Sequence, residues 1–339
     1  MSILVVFTGG TIGSEILNGV ADVSQNVSNS LLSGIKAGFE CVSPFSILSE
    51  NSTPETLSKL CNFMLSVPFE KYDGVVITHG SDTLAYSSAV LGLALSWVNA
   101  PVAITAADSV LSMPDSNGKK NFSAAVNFIL DFKRKNHTNT GVFTVWQNKG
   151  EMPAVYLSTR LNEADGFTDS FSSWGGVPFG YMNGERFEHV CDTVNPPCTV
   201  PQNTLSFLKG ASLNLSPDIC MIDSYVGLDF SSLCIRDKRA VLLRLYHSAT
   251  ACTIGEKLSV DRLIEQCNEY DTDIYVYPAK QKVYEYSSEE VFRNSSVRRL
   301  YSIGKCAAYS KLMLAYAFDG KKRETILNNN IFYEIIDSQ

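Results

Sequence analysis

Strand-like apolar runs and helical patterns alternate along most of this chain. Residues 3–7, 41–47, 74–78, 102–106 and 141–146 are rich in β-branched and aromatic side chains, the pattern of strands buried on both faces. Between them, 26–38, 53–66, 83–98 and 119–133 carry helical spacing. Strands separated by helices predict a parallel sheet. Ser52 or Thr53 followed by Pro54 and Glu55 marks a helix start, with proline near the first turn. The stretch 141–157 differs, because two strand-like runs flank Gln147 to Met152, which predicts a hairpin.

Residues 183–204 are polar and proline-rich and read as a linker. Strand-like runs return at 219–222, 240–246, 273–277 and 299–303, with helices near 255–268 and 306–317. The expected organisation is therefore a larger α/β domain over 1–182, a linker at 183–204 and a smaller α/β domain over 205–339. The tail from Lys321 reads as a short terminal helix.

Composition narrows the class. A chain of 339 residues with 45% hydrophobic and 19% charged residues fits a folded two-domain protein and not a disordered one. The net charge of −7 is dispersed, without a basic stripe or zinc-finger spacing, so nucleic acid is not an expected partner. Nine cysteines without a CxxC pair point to reduced thiols and no metal cluster. The first strand follows Met1 almost at once, so no signal peptide is expected. The most apolar helix candidate, Leu84 to Val98, is too short and too polar to span a bilayer. The expected location is cytoplasmic, with no membrane partner.

In an open α/β sheet, ligands bind beyond the carboxyl ends of the strands. Those ends carry Thr11, Ser49, Glu50, Ser81, Asp82 and Asp108, which are hydroxyls beside carboxylates. Thr11 lies on a glycine-rich bend, Thr8-Gly9-Gly10-Thr11-Ile12-Gly13. This bend is neither GxGxxG nor a P-loop, so nucleotide binding is poorly supported. It reads equally as a structural turn. In His79-Gly80-Ser81-Asp82-Thr83, Ser81 or Asp82 could cap the following helix or hold the carboxylate and ammonium of a ligand. His79 reads as a packed strand-end residue and not as a base.

Taken together, "TGGTIG" at the first strand end and "HGSDT" at the third resemble the L-asparaginase/glutaminase family. "SENSTPE" is similar to its serine-containing substrate loop, and "STRLNEADGFTDSFSS" to a stretch of its cytoplasmic type I branch. The resemblance runs through essentially the whole chain and is most specific at 8–13 and 74–88. It implies a parallel, flavodoxin-like sheet with a hairpin in the larger domain. It also implies hydrolysis of the side-chain amide of L-asparagine, or L-glutamine, through a threonine acyl-enzyme. By that resemblance Thr11 is the nucleophile, and Ser81, Asp82 and Arg160 complete the catalytic group. Ser49, Glu50, Gly80, Ser81, Asp82 and Ala107 hold the substrate, with the Ser81 N–H in an oxyanion hole. No metal or cofactor is implied, and the expected assembly is a homodimer or homotetramer.

Two departures weaken the match. Arg160 stands where the family has a lysine, and arginine cannot shed its proton to act as a base; Arg160→Lys is expected to raise turnover. The family's loop tyrosine is missing between Ser14 and Lys71, with Val20 near its place. A catalytically weakened homologue that binds an amino acid or serves in an assembly is the alternative expectation. An ammonia-releasing amidotransferase component is a third.

Overall fold

A computed structural model describes residues 2–17, 20–23, 27–135, 140–197, 205–279 and 285–336. The first part of the chain contributes strands β1 (Ser2–Phe7), β2 (Ser14–Leu17), β3 (Val20–Val23), β4 (Gly38–Val42), β5 (Gly74–Thr78), β6 (Pro101–Thr105), β7 (Gly141–Trp146), β8 (Ala154–Leu157), β9 (Gly180–Asn183) and β10 (Arg186–His189). Its helices are α1 (Val27–Leu32), α2 (Pro54–Ser66), α3 (Leu84–Ala94) and α4 (Gly118–Arg134). The second part contributes β11 (Ile219–Asp223), β12 (Ala240–Arg244), β13 (Asp273–Ala279) and β14 (Arg298–Tyr301), with α5 (Val260–Glu269), α6 (Ser287–Arg293), α7 (Lys305–Ala315) and α8 (Gly320–Asn328).

Eight strands form the large sheet in the order β10-β9-β8-β7-β6-β5-β1-β4. Its parallel part, β4-β1-β5-β6-β7, has the flavodoxin-like order, in which the chain leaves β1 in opposite directions. The crevice beside β1 and β5 is therefore the topological switch point. β7 and β8 form the expected antiparallel hairpin. The second sheet is wholly parallel, in the order β11-β12-β13-β14.

Most elements lie where the hydrophobic pattern puts them. The α2 start carries a capping box, with Thr53 and Thr56 exchanging side-chain and backbone hydrogen bonds. Three elements differ from the expected bounds. The strand expected at 41–47 is shifted to Gly38–Val42, because it is the sheet's edge and its residues are largely exposed, which removes the apolar signal. The helix expected over 26–38 is the short Val27–Leu32. A strand, Arg186–His189, pairs with Gly180–Asn183 inside the stretch read as a linker; its polar residues alternate with buried Phe187. Residues 198–204 of that stretch lie outside the described residues.

Apolar packing joins the two sheets. Helix α3 is buried along almost its whole length, as is α7, and α3 packs against α7 between the sheets. A helix covered on both sides has no need of a polar face. The opposite face of the large sheet is covered by α4, whose Phe122, Phe128 and Phe132 pack with Phe143 and Phe187. Residues Phe332 and Tyr333, near the chain's end, join this same cluster.

Candidate active site

The bend after β1 is fastened on both sides. Thr8 donates through its backbone N–H and its hydroxyl to Thr78 O, at 3.3 and 2.8 Å. On the other side, Ile47 N donates to Thr8 O and Gly10 N to Ile47 O. The two glycines are required by space as well as conformation. Gly9 and Gly10 have φ of 95° and 74°, in the left-handed region that other residues rarely adopt. A Cβ at Gly9 would stand 2.4 Å from Ile47 O, and one at Gly10 would stand 2.3 Å from Gly80 N. Gly10→Ala is therefore expected to lower the unfolding free energy by about 1–3 kcal/mol, measurable by urea titration.

This contact decides the geometry of the crevice. Thr11 and Ser81 each follow a glycine of the touching pair, so their half-buried side chains leave adjoining loops. Neither hydroxyl has a hydrogen-bond partner among the described residues. Ile12 is buried behind Thr11. Ala107, also buried, lies with Ile12 around Gly118 at the start of α4.

The loop after β4 reaches the same place. Ser49 is buried in a 3-10 turn, and its hydroxyl donates to Asp82 Oδ2 at 2.8 Å. A Cβ on Gly80 would stand 2.3 Å from Ser49 Oγ, so glycine admits the serine here. Glu50 follows on the same turn and is exposed. Thr83, which the sequence pattern did not single out, donates its hydroxyl to Ser49 O at 3.1 Å, with Ser52 Oγ 3.2 Å from the same oxygen. It ties the Ser49 loop to the start of α3, and its place in "HGSDT" was the available signal. The helix has no side-chain cap at Thr83. The capping alternative for Ser81 and Asp82 thus finds no support, and Asp82 is engaged with Ser49 instead.

His79 is buried, with Nδ1 2.8 Å from Gly80 O and Nε2 2.9 Å from Ser87 Oγ. Burial holds its pKa below the ordinary value. It is the packed strand-end histidine that the sequence suggested. Asp108 does not offer its carboxylate as a free charge. Its Oδ1 accepts from Asn117 N and Ser109 Oγ, while Asp108 N donates to Asn117 Oδ1.

Arg160 takes its described hydrogen bonds at the chain's end. The hairpin runs β8 back toward the amino ends of the parallel strands, with Leu157 beside Phe143. Thr159 Oγ1 then donates to Phe332 O, and the Phe332 ring covers Gly141, the first residue of β7. Gly141 lies four residues, or about 13 Å at the rise of a strand, below Val145, which is level with Thr105 and Thr78. The Arg160 guanidinium donates from Nε to Tyr333 O and from Nη1 to Val194 O. It fastens the chain's end. Arg160→Lys removes that two-pronged donation. It is expected to lower stability by about 1–3 kcal/mol in a denaturation experiment.

Among the described residues no group of His, Cys, Asp or Glu could hold a metal ion, and no helix is long and apolar enough to cross a membrane. The Val20 side chain lies outside what is described.

Comparisons with known proteins agree with this architecture. The chain is 29% identical over 192 residues to an L-asparaginase of Thermococcus kodakarensis, covering 55% of each protein. It is 31% identical over 134 residues to a glutamyl-tRNA(Gln) amidotransferase component of Thermoplasma acidophilum, covering 37% of this chain and 32% of that protein. The chain thus spans about half the length, or less, of these curated relatives. Among solved structures, the thermostable L-asparaginase from Thermococcus kodakarensis matches with a TM-score of 0.76 at 23% identity over all of both chains. The probable cytoplasmic L-asparaginase from Campylobacter jejuni matches with a TM-score of 0.71 at 20% identity, covering 97% of this chain and 99% of that one. The family model described as "Asparaginase, N-terminal" matches residues 2–190, a span that contains the bend at Thr11, the Ser49 turn and the HGSDT segment; the chain belongs to the asparaginase family.

Proposed function

We propose that this chain is an amidohydrolase that cleaves the side-chain amide of L-asparagine, and of its longer homologue L-glutamine, to the acid and ammonia. The observation that carries the reading is the Gly10–Gly80 contact, which sets Thr11 and Ser81 on adjoining loops at the switch point, next to the Ser49–Asp82 pair. Thr11 Oγ attacks the amide carbon, the C–N bond breaks, and the hydroxyl proton leaves with the nitrogen as ammonia. Water then attacks the resulting ester, restoring the Thr11 hydroxyl and releasing the acid. Asp82 receives the substrate ammonium, while Ser49, Glu50 and the Gly80 backbone surround the rest of the amino-acid head. The Ser81 N–H, beside Ala107, stabilises the oxyanion, a donation typically worth about 3 kcal/mol in the transition state. Family membership and the asparaginase relative support the amide substrate.

The proposal includes a homodimer or homotetramer in the cytoplasm, needing no cofactor. Tyr225, Val226 and Ile254 support an interface, since they line one hollow of the second part while remaining largely exposed. It also retains the division at 183–204, with the strand at Arg186–His189 extending the first sheet into the connector.

Ammonia release from L-asparagine and L-glutamine by purified protein tests the reading, with Thr11→Ala beside it. A second reading has two observations in its favour. The residue aligned with the family lysine, Arg160, fastens the chain terminus, and the loop tyrosine is missing, so two proton-handling groups are lacking. Amino-acid binding without turnover would select this weakened homologue.

A further inference from the structure

We propose that His79 is a positioning residue whose imidazole holds the Gly80–Ser81 peptide so that the Ser81 N–H faces the crevice. The inference rests on the amidohydrolase reading for the use made of that N–H. A carbonyl oxygen only accepts, so the 2.8 Å contact with Gly80 O places a proton on Nδ1. In the neutral ring Nε2 is then the acceptor, and the Ser87 hydroxyl donates to it at 2.9 Å. Burial favours this neutral form. The tautomer follows from the two partners, one on the loop and one within α3.

A trans peptide carries its C=O and N–H on opposite sides of one plane. Drawing Gly80 O toward the imidazole therefore turns the Ser81 N–H the other way, toward the loops of Thr11 and Ser49. That N–H has no acceptor among the described residues. Orientation needs an external hold here, because glycine rotates more freely than any other residue. Gly80 is glycine for want of space beside Ser49 Oγ and Gly10. The main chain of His79 is itself fixed, its N–H donating to Thr105 O at 2.8 Å. The ring thus ties the Gly80–Ser81 peptide to β5 and α3.

Three variants separate positioning from packing. In His79→Asn the amide nitrogen takes the place of Nδ1 and keeps the bond to Gly80 O. In His79→Gln the amide reaches instead toward Ser87, and His79→Leu keeps neither bond. Each is compared with the wild type by kcat and KM for ammonia release, and by hydrogen–deuterium exchange of peptides covering 79–84. We expect Gln and Leu to lose about tenfold to a hundredfold in kcat, with little change in KM and faster exchange across 79–84, where His79 N–H and Leu84 N–H are the bonded amides. Asn should retain the larger share of kcat and the wild-type exchange of these peptides. Equal losses for Asn and Gln, a loss confined to KM, or exchange that His79→Leu leaves unchanged would each overturn the proposal. Should His79→Leu not fold, the contrast between Asn and Gln still decides. A wild type inactive on both amides would overturn the amidohydrolase reading instead, and the exchange comparison would still judge His79.

Discussion

Thr11→Ala is expected to lower ammonia release from L-asparagine by at least about a thousandfold, while the folded protein keeps its stability. A threonine removed from a turn, with its hydroxyl unpartnered among the described residues, leaves no broken hydrogen bond behind. Its half-buried methyl contributes little to the core, which here consists of Ile12 and the residues behind it. The loss should therefore fall on the chemical step, where removal of a nucleophile commonly costs several orders of magnitude. A thousandfold corresponds to about 4 kcal/mol of transition-state stabilisation. The informative measurement is kcat beside an unfolding midpoint. A Thr11→Ala protein with wild-type turnover would remove Thr11 from the mechanism. An inactive wild type that still binds aspartate would favour the weakened homologue.

The second large effect concerns the chain's end. Lys311 in α7 and Glu334 form an ion pair of 2.7 Å, with side chains only 1% and 0% exposed. Each is further satisfied: Lys311 Nζ donates to Asn329 O, and Glu334 accepts from the N–H groups of Ile331 and Phe332. Removing one member of such a pair strands the other without water, a cost of about 3–5 kcal/mol. Lys311→Met should reach that range in urea titration. Glu334→Ala should exceed it, because it also leaves two buried N–H groups without their acceptor. The double substitution Lys311→Met with Glu334→Leu should recover part of the loss, since no buried charge remains. The tail held by this pair carries Phe332 onto Gly141 and the Tyr333 carbonyl onto Arg160. Lys311→Met should accordingly speed proteolysis near the carboxyl terminus. A stability change below about 1 kcal/mol, the level of an exposed pair, would show that the pair is not isolated from water.

Local patterns carried most of the strand and helix assignments, and for a physical reason. β5 and β7 are buried on both faces, so their runs are largely apolar and their bounds agree with the pattern. β4 and β10 lie at the two edges of the large sheet, where mixed composition displaced the bounds of the first and hid the second. The crevice was legible for a different reason: parallel strands alternating with helices must expose their carboxyl ends on one edge. Thr11, Ser49, Ser81 and Asp82 could thus be gathered before any coordinate was known. Arg160 could not be placed this way. Its segment follows an antiparallel strand, and the partners of its guanidinium are 34 and 173 residues away in the chain.

By itself, then, the sequence determined the α/β alternation, the hairpin, the edge on which the chemistry gathers and the family resemblance, because each of these rests on short-range periodicity or on loops a few residues long. Only the tertiary structure decided which backbones touch at Gly10 and Gly80, which tautomer His79 adopts, that Asp82 pairs with Ser49, and that Arg160, Lys311 and Glu334 fasten the chain's end. These depend on atoms brought within hydrogen-bond distance by folding, and neither composition nor spacing encodes a distance of that kind.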